Sequence, residues 1–268
     1  MVAQRRTQLL IPPGFDKAIA LEAAALVNLA YEQFTHRNAT PPWSLLGNYD
    51  TLSLLSAQSP DLMHGLFQQK EVFGFVARNR TTGTVFVTFR GTQSPGDWLS
   101  NISFPQVPFR DQWGNVEKGF AQLYIQMSQS IVGPVRQSGA VKVIVTGHSL
   151  GGALATLATA DLAANGIVAS LYNFASPRTG NLEFTRKLQS AVPVIWRIVN
   201  TEDIVTTVPL ASSTVDSKPH SLGAFDLVVH ALNKLDYLHA GSAVSFTAHE
   251  GSIIDNHKMA TYIAGLNS

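Results

Sequence analysis

The sequence predicts an α/β architecture, a mainly parallel sheet covered by helices on both faces. Three observations carry this. Val141–Val145 is a β-branched apolar run of strand length. Leu150–Ala164 follows as a small-residue helix that ends near Asn165 and Gly166. Val168–Phe174, Asn181–Leu188 and Val192–Val199 then read as strand, helix and strand. Such alternation needs right-handed crossovers, which lay parallel strands between two helical layers.

The remaining elements follow in order. Asp16 caps a predicted helix in which Leu21, Leu26, Leu29 and Phe34 fall at helical spacing. Val72–Arg78 and Thr84–Phe89 read as strands joined by a turn at Thr82 and Gly83. Gln93 to Phe109 is loop-like, with Pro95, Gly96, Pro105 and Pro108. Gly119–Ile131 reads as one helix, Ala243–Thr247 as a late strand, and Lys258–Leu266 as a terminal helix. No repeat, low-complexity linker or composition shift divides the chain, so residues 1–268 are expected to form one domain.

Composition narrows the function. The chain has 268 residues, 45% hydrophobic and only 14% charged, with a net charge of +1. No basic cluster exists to neutralise phosphates, so nucleic acid is not an expected partner. There is no cysteine, which removes disulfides, thiolate metal sites and thiol nucleophiles. After Arg5 and Arg6, the apolar run Leu9–Ile11 stops at Pro12 and Pro13, too short for a secretory signal. The chain is thus expected to act in the cytoplasm, or to be secreted with its signal removed. No apolar run is long enough to span a bilayer.

Gly147-His148-Ser149-Leu150-Gly151 lies where a buried strand meets a small-residue helix. A serine on a sharp turn there stands exposed above the sheet, and glycine is needed two residues either side. The helix that follows offers unpaired N–H groups and its positive end to an oxyanion. Ser149 is therefore the candidate nucleophile of an acyl transfer. His148 reads as structural, pointing away from its neighbour's chemistry.

A serine nucleophile of this kind takes an acid and then a histidine later in the chain. Asn200-Thr201-Glu202-Asp203 follows a predicted strand, and Asp203 and Glu202 compete for the acid. The shorter Asp203 suits a fixed bond to imidazole. Of the histidines after it, His220 and His230 come early, and His239 and His249 bracket the last strand. His257, in the polar stretch before the terminal helix, is the preferred base.

The oxyanion needs preset donors. Leu150 supplies its backbone N–H, and Thr92, at the exit of the Val85–Phe89 strand, supplies N–H and hydroxyl. Gly91-Thr92 is also what an ordinary strand exit looks like. Beyond it, Asp97 can cap a short helix carrying Trp98, Leu99 and Ile102, with Phe104 nearby. Such a helix beside the nucleophile reads as a lid that adds apolar substrate-binding surface. A fixed loop completing the core fits the same residues.

These motifs together resemble the class 3 lipases, the group that includes secreted fungal triacylglycerol lipases. The resemblance runs from about Phe73 to Tyr262. It rests on Val87–Thr92 with Asp97 and Trp98, on Gly119-Phe120, on Val145–Ala153, on Phe174–Asn181, and on Arg197 through Asp203 to Pro209. It implies an α/β-hydrolase fold with a short lid, and the triad Ser149, Asp203 and His257. It further implies an oxyanion hole at Thr92 and Leu150, a lid near Trp98, a structural Arg178, and no metal or cofactor. The family often has histidine where this chain has Glu117. The implied reaction is hydrolysis of a lipid or other ester, most simply triacylglycerol at a transient lipid–water interface. A short-chain or feruloyl-type esterase and a non-catalytic interaction protein are the competing readings. Ser212–Leu235 matches nothing, though its Leu222, Phe225, Leu227, Val228 and Val229 suit an acyl groove or a core cover.

Overall fold

The computed structural model describes residues 9–39, 43–45, 47–58, 70–93, 105–209 and 237–268. Chain order runs α1 (Lys17–Thr35), β1 (Tyr49–Gln58), β2 (Lys70–Asn79), β3 (Val85–Phe89), β4 (Gln106–Pro108) and β5 (Asn115–Glu117). It continues with α2 (Lys118–Ile125), α3 (Gln129–Ser138), β6 (Val143–His148), α4 (Leu150–Ala164), β7 (Ser170–Phe174) and α5 (Leu182–Ala191). β8 (Ile195–Asn200), a 3-10 turn (Ile204–Thr207), β9 (Ser242–Phe246), α6 (Ile253–His257) and α7 (Met259–Leu266) complete it.

The main sheet has seven strands in the order β1-β2-β3-β6-β7-β8-β9. β1, β2 and β3 are antiparallel neighbours, while β3, β6, β7, β8 and β9 pair in parallel. The expected alternation is therefore present. Side chains along a strand point to opposite faces, and here both faces are apolar. Val85, Val87, Val143, Val145 and Leu171 join one core with α2, α3 and α4. Phe86, Ile144, Tyr172, Phe174 and Ile198 join the other with α1 and α7. α1 buries Ala20, Ala23, Ala24, Val27 and Ala30, so small residues at helical spacing bring its backbone close to the sheet.

Three sequence expectations need correction. The stretch expected as a single helix over Gly119–Ile131 is two, α2 and α3. The chain turns between them, where Met127 and Ser128 both direct their N–H to the Tyr124 carbonyl. β1 occupies a stretch for which no strand was predicted. His148 does not point away from the neighbouring chemistry, as described below. Trp98, Leu99, Ile102, Asp97 and Phe104, and with them the expected lid, lie outside the described residues. So do His220, His230 and the apolar residues of Ser212–Leu235. Among the described residues no helix is long and apolar enough to cross a membrane.

Candidate active site

Ser149 sits between β6 and α4 with φ 58° and ψ −130°. That backbone is costly for a residue with a side chain, by about 1–3 kcal/mol. Close packing holds it. A Cβ on Gly147 would collide with the Gly151 carbonyl, and one on Gly151 with the Arg90 carbonyl. A Cβ on Gly152 would lie 2.7 Å from Ser176 Cβ. The glycines thus let the start of α4, the end of β6 and the exit of β3 converge on one point. Ser149 stands at the cap position of α4, yet its side chain makes no capping bond. Its Oγ is buried and has no hydrogen-bond partner among the described residues.

Asp203 and His257 come together. Asp203 ends the turn after β8, and His257 is the last residue of α6 rather than part of an irregular loop. Both are buried, and His257 Nδ1 lies 2.7 Å from Asp203 Oδ2. Since the carboxylate accepts, Nδ1 carries the proton and Nε2 is left as an acceptor. Nε2 is buried and, like Ser149 Oγ, has no partner among the described residues. Asp203 is further held by the Val205 N–H at 3.0 Å on Oδ1 and by the Tyr262 hydroxyl at 2.6 Å on Oδ2.

The competing residues are engaged elsewhere. Glu202 faces His249 at 3.4 Å, both well exposed. His239 Nε2 donates to the Thr206 carbonyl at 2.8 Å. Burial, together with nearby Arg197, pushes the His239 imidazole down to about 3. Two asparagines tie the acid and base loops together. Asn200 donates to the Ala248 and Asn256 carbonyls at 3.0 Å each, and Asn256 donates to the Glu202 carbonyl at 3.2 Å. Arg178 donates to the Thr207 and Pro209 carbonyls and so braces the turn after Asp203.

A second set of contacts reaches the site from α1. The His257 carbonyl lies 2.7 Å from His148 Nε2, and a carbonyl can only accept, so His148 donates from Nε2. Its Nδ1 therefore accepts from the Tyr31 hydroxyl at 2.8 Å. Tyr31 in turn accepts the Gly91 N–H at 3.0 Å. The His148 and His257 rings lie 4.8 Å apart. Burial first, and then His257 beside it, holds the His148 imidazole far below its ordinary range. His148 is a neutral link between the strand exit at Gly91 and the main chain of His257. No local motif announced Tyr31, Tyr262, Asn200 or Asn256, because each meets its partner from a distant part of the chain.

Of the two residues expected as oxyanion donors, Leu150 follows the serine directly and Thr92 follows Gly91, which packs on it. A Cβ on Gly91 would lie 2.8 Å from Ser149 Cβ, which places the Gly91–Thr92 peptide against the nucleophile. Leu150 opens α4, where the first N–H groups have no partner within the helix. Glu117, at the position where the resembled family often has histidine, caps α2 by accepting the Phe120 N–H at 2.7 Å. Burial raises its carboxyl.

Comparison with known proteins points to lipases. The family model Lipase (class 3) matches residues 86–213. The chain is 35% identical over 147 residues to a lipase of Rhizomucor miehei, covering 51% of this chain and 40% of that protein. It is 29% identical over 221 residues to the chloroplastic phospholipase A(1) DAD1 of Arabidopsis thaliana, covering 73% of this chain and 48% of the relative. The chain thus spans less than half the length of these relatives. A solved structure of Rhizomucor miehei triacylglyceride lipase superposes with a TM-score of 0.67 at 20% identity, covering 98% of this chain and 100% of that one. That likeness gives the fold, a mostly parallel sheet of the α/β-hydrolase type. In its matched motifs and its architecture, the chain is similar to the class 3 lipase family.

Proposed function

We propose that the chain is a serine ester hydrolase, a lipase that releases fatty acids from acylglycerols. One observation carries the reading. Ser149 Oγ and His257 Nε2 are both buried without a partner among the described residues, although the Asp203 side of the imidazole is fully bonded. Unpaired buried polar atoms are rare and cost about 1–3 kcal/mol each. Leaving both on the nucleophile and its base suits a site completed by substrate, since such bonds tighten when substrate binds.

In the proposed reaction, Ser149 Oγ attacks the ester carbonyl carbon while His257 Nε2 takes its proton. Asp203 keeps the proton on Nδ1 and stabilises the imidazolium. The N–H groups of Thr92 and Leu150, with the Thr92 hydroxyl, receive the oxyanion. The C–O bond to the alcohol breaks, and the alcohol leaves with the proton from Nε2. Water then repeats the sequence on the acyl-enzyme and frees the acid.

Incubation with a fluorophosphonate tests the nucleophile, because labelling must occur at Ser149 and vanish in Ser149→Ala. A chain-length series of esters, offered soluble and as emulsion, tests the substrate class. Turnover of emulsified long-chain triacylglycerol above that of soluble short-chain and feruloyl esters supports the lipase. The reverse order makes it a short-chain or feruloyl-type esterase. The match to phospholipase A(1) DAD1 extends over 73% of this chain, so phosphatidylcholine belongs in the series. Failure to label or turn over any ester leaves a non-catalytic interaction protein.

A further inference from the structure

Arg90 is the largest kind of side chain to be fully buried here, at 1% exposure, and the reaction above does not use it. Its three guanidinium nitrogens are all engaged. Nε donates to the Val72 carbonyl at 2.7 Å, Nη2 to Glu71 at 3.0 Å, and Nη1 to the Gly91 carbonyl at 2.7 Å. The guanidinium carbon stands 3.8 Å from the ring centre of Phe34 and 4.8 Å from that of Phe73. Phe34 and Tyr31 are three residues apart on α1 and share a face of that helix. One face of α1 thus presses on Arg90 and also receives the Gly91 N–H through Tyr31.

The Gly91 carbonyl belongs to the same peptide unit as the Thr92 N–H. A trans peptide is planar, so holding C=O toward the guanidinium aims N–H the opposite way. A charged donor on the carbonyl also draws electron density from the amide and strengthens its N–H as a donor. With the preceding N–H held by Tyr31, both peptide planes at Gly91 are fixed. We propose that Arg90 is a positioning residue for the oxyanion hole, orienting and polarising the Gly91–Thr92 peptide. The inference rests on the hydrolase reading given above. Arg90 acts through that peptide and does not touch the substrate. Because oxyanion charge appears only in the transition state, its effect falls on kcat and leaves KM alone.

The test compares wild type with Arg90→Lys, which keeps the charge but loses the planar fork. Competent sites are counted by the end point of fluorophosphonate titration. Each variant is then assayed on a soluble ester and titrated with an alkyl boronic acid, a tetrahedral oxyanion mimic. The expected result is a fall of about 10–100-fold in kcat per titrated site with KM within about twofold. Boronate affinity should fall in parallel, and the pH profile should stay in place. Unchanged kcat per titrated site, or a loss confined to KM, overturns the proposal and leaves Arg90 a packing residue. Should Arg90→Lys not fold, Glu71→Gln decides, since Glu71 is partly exposed and only steadies the guanidinium. A parallel loss of kcat and boronate affinity in that variant sustains the proposal, and wild-type values overturn it. A wild-type protein that neither titrates nor turns over would instead defeat the hydrolase reading itself.

Discussion

The Tyr262 hydroxyl donates to Asp203 Oδ2 at 2.6 Å, the same oxygen that receives the His257 Nδ1–H at 2.7 Å. The acid is thereby fixed by a side chain as well as by the Val205 N–H. It holds the imidazole without needing to rotate. Burial, and then the Asp203 charge, pushes the Tyr262 phenol well above its ordinary range, so it stays a donor at any working pH. Tyr262→Phe should lower stability by about 1.5–3 kcal/mol, the range for a hydrogen bond to a charged group. kcat should fall severalfold. Urea unfolding and steady-state kinetics check both, and wild-type values for each would show that the bond is idle.

Ser149→Ala should abolish ester turnover without loss of stability. The change removes a buried hydroxyl that has no partner among the described residues. Ser149→Gly should be at least as stable as the alanine variant, because only glycine meets φ 58° without a side-chain penalty. Thermal melts of the three proteins measure this. A glycine variant melting well below the alanine one would contradict the strain at the turn.

Acidification should weaken the fold through His148 and His239. Both sit below their unfolded value of about 6.5, His148 by burial and the neighbouring His257, His239 by burial and Arg197. The unfolded chain therefore takes up protons first. Stability from these groups is complete above about pH 6.5 and is lost as pH falls toward the folded value of about 3 for His239. Below pH 6 each contributes a slope of about 1.4 kcal/mol per pH unit. Urea midpoints at pH 7 and pH 5 measure the loss, and His239→Gln should reduce it. Equal midpoints would mean that these rings are not held neutral.

Asp161 is fully buried away from Ser149, Asp203 and His257, with Arg110 Nη2 at 2.7 Å, Tyr124 at 2.6 Å and Ser128 at 2.8 Å. Arg110 reaches solvent, but the buried Tyr124 hydroxyl would lose its acceptor, so Asp161→Ala should cost about 1–3 kcal/mol. Activity per titrated Ser149 should remain at the wild-type level below the melting temperature. A variant equally stable would refute the network's structural weight.

What the sequence disclosed follows the range of the interactions involved. Ser149 was legible because a strand, two glycines and a helix start are contiguous. Asp203 and His257 were legible because each adjoins a recognisable element and their order along the chain is fixed. β1 was not, since register shifts between Thr51 and Ser53 and between Leu55 and Ser56 break its two-residue alternation. The division between α2 and α3 was hidden in an apolar run. There Ser128 turns its hydroxyl to Asp161, far along the sequence. His148 looked like filler in the elbow, and its link to Tyr31 and His257 is visible only once α1 and α6 are folded against it.

Tyr31 enters the centre from the first described helix and Tyr262 from the last. The bonds that reach Gly91, His148 and Asp203 from these two residues therefore exist only while both segments are seated on the sheet. Fraying of either one should silence the serine while most of the sheet persists. Loss of turnover would then precede global melting, and catalysis would serve as a sensitive gauge of how firmly the outermost helices are seated.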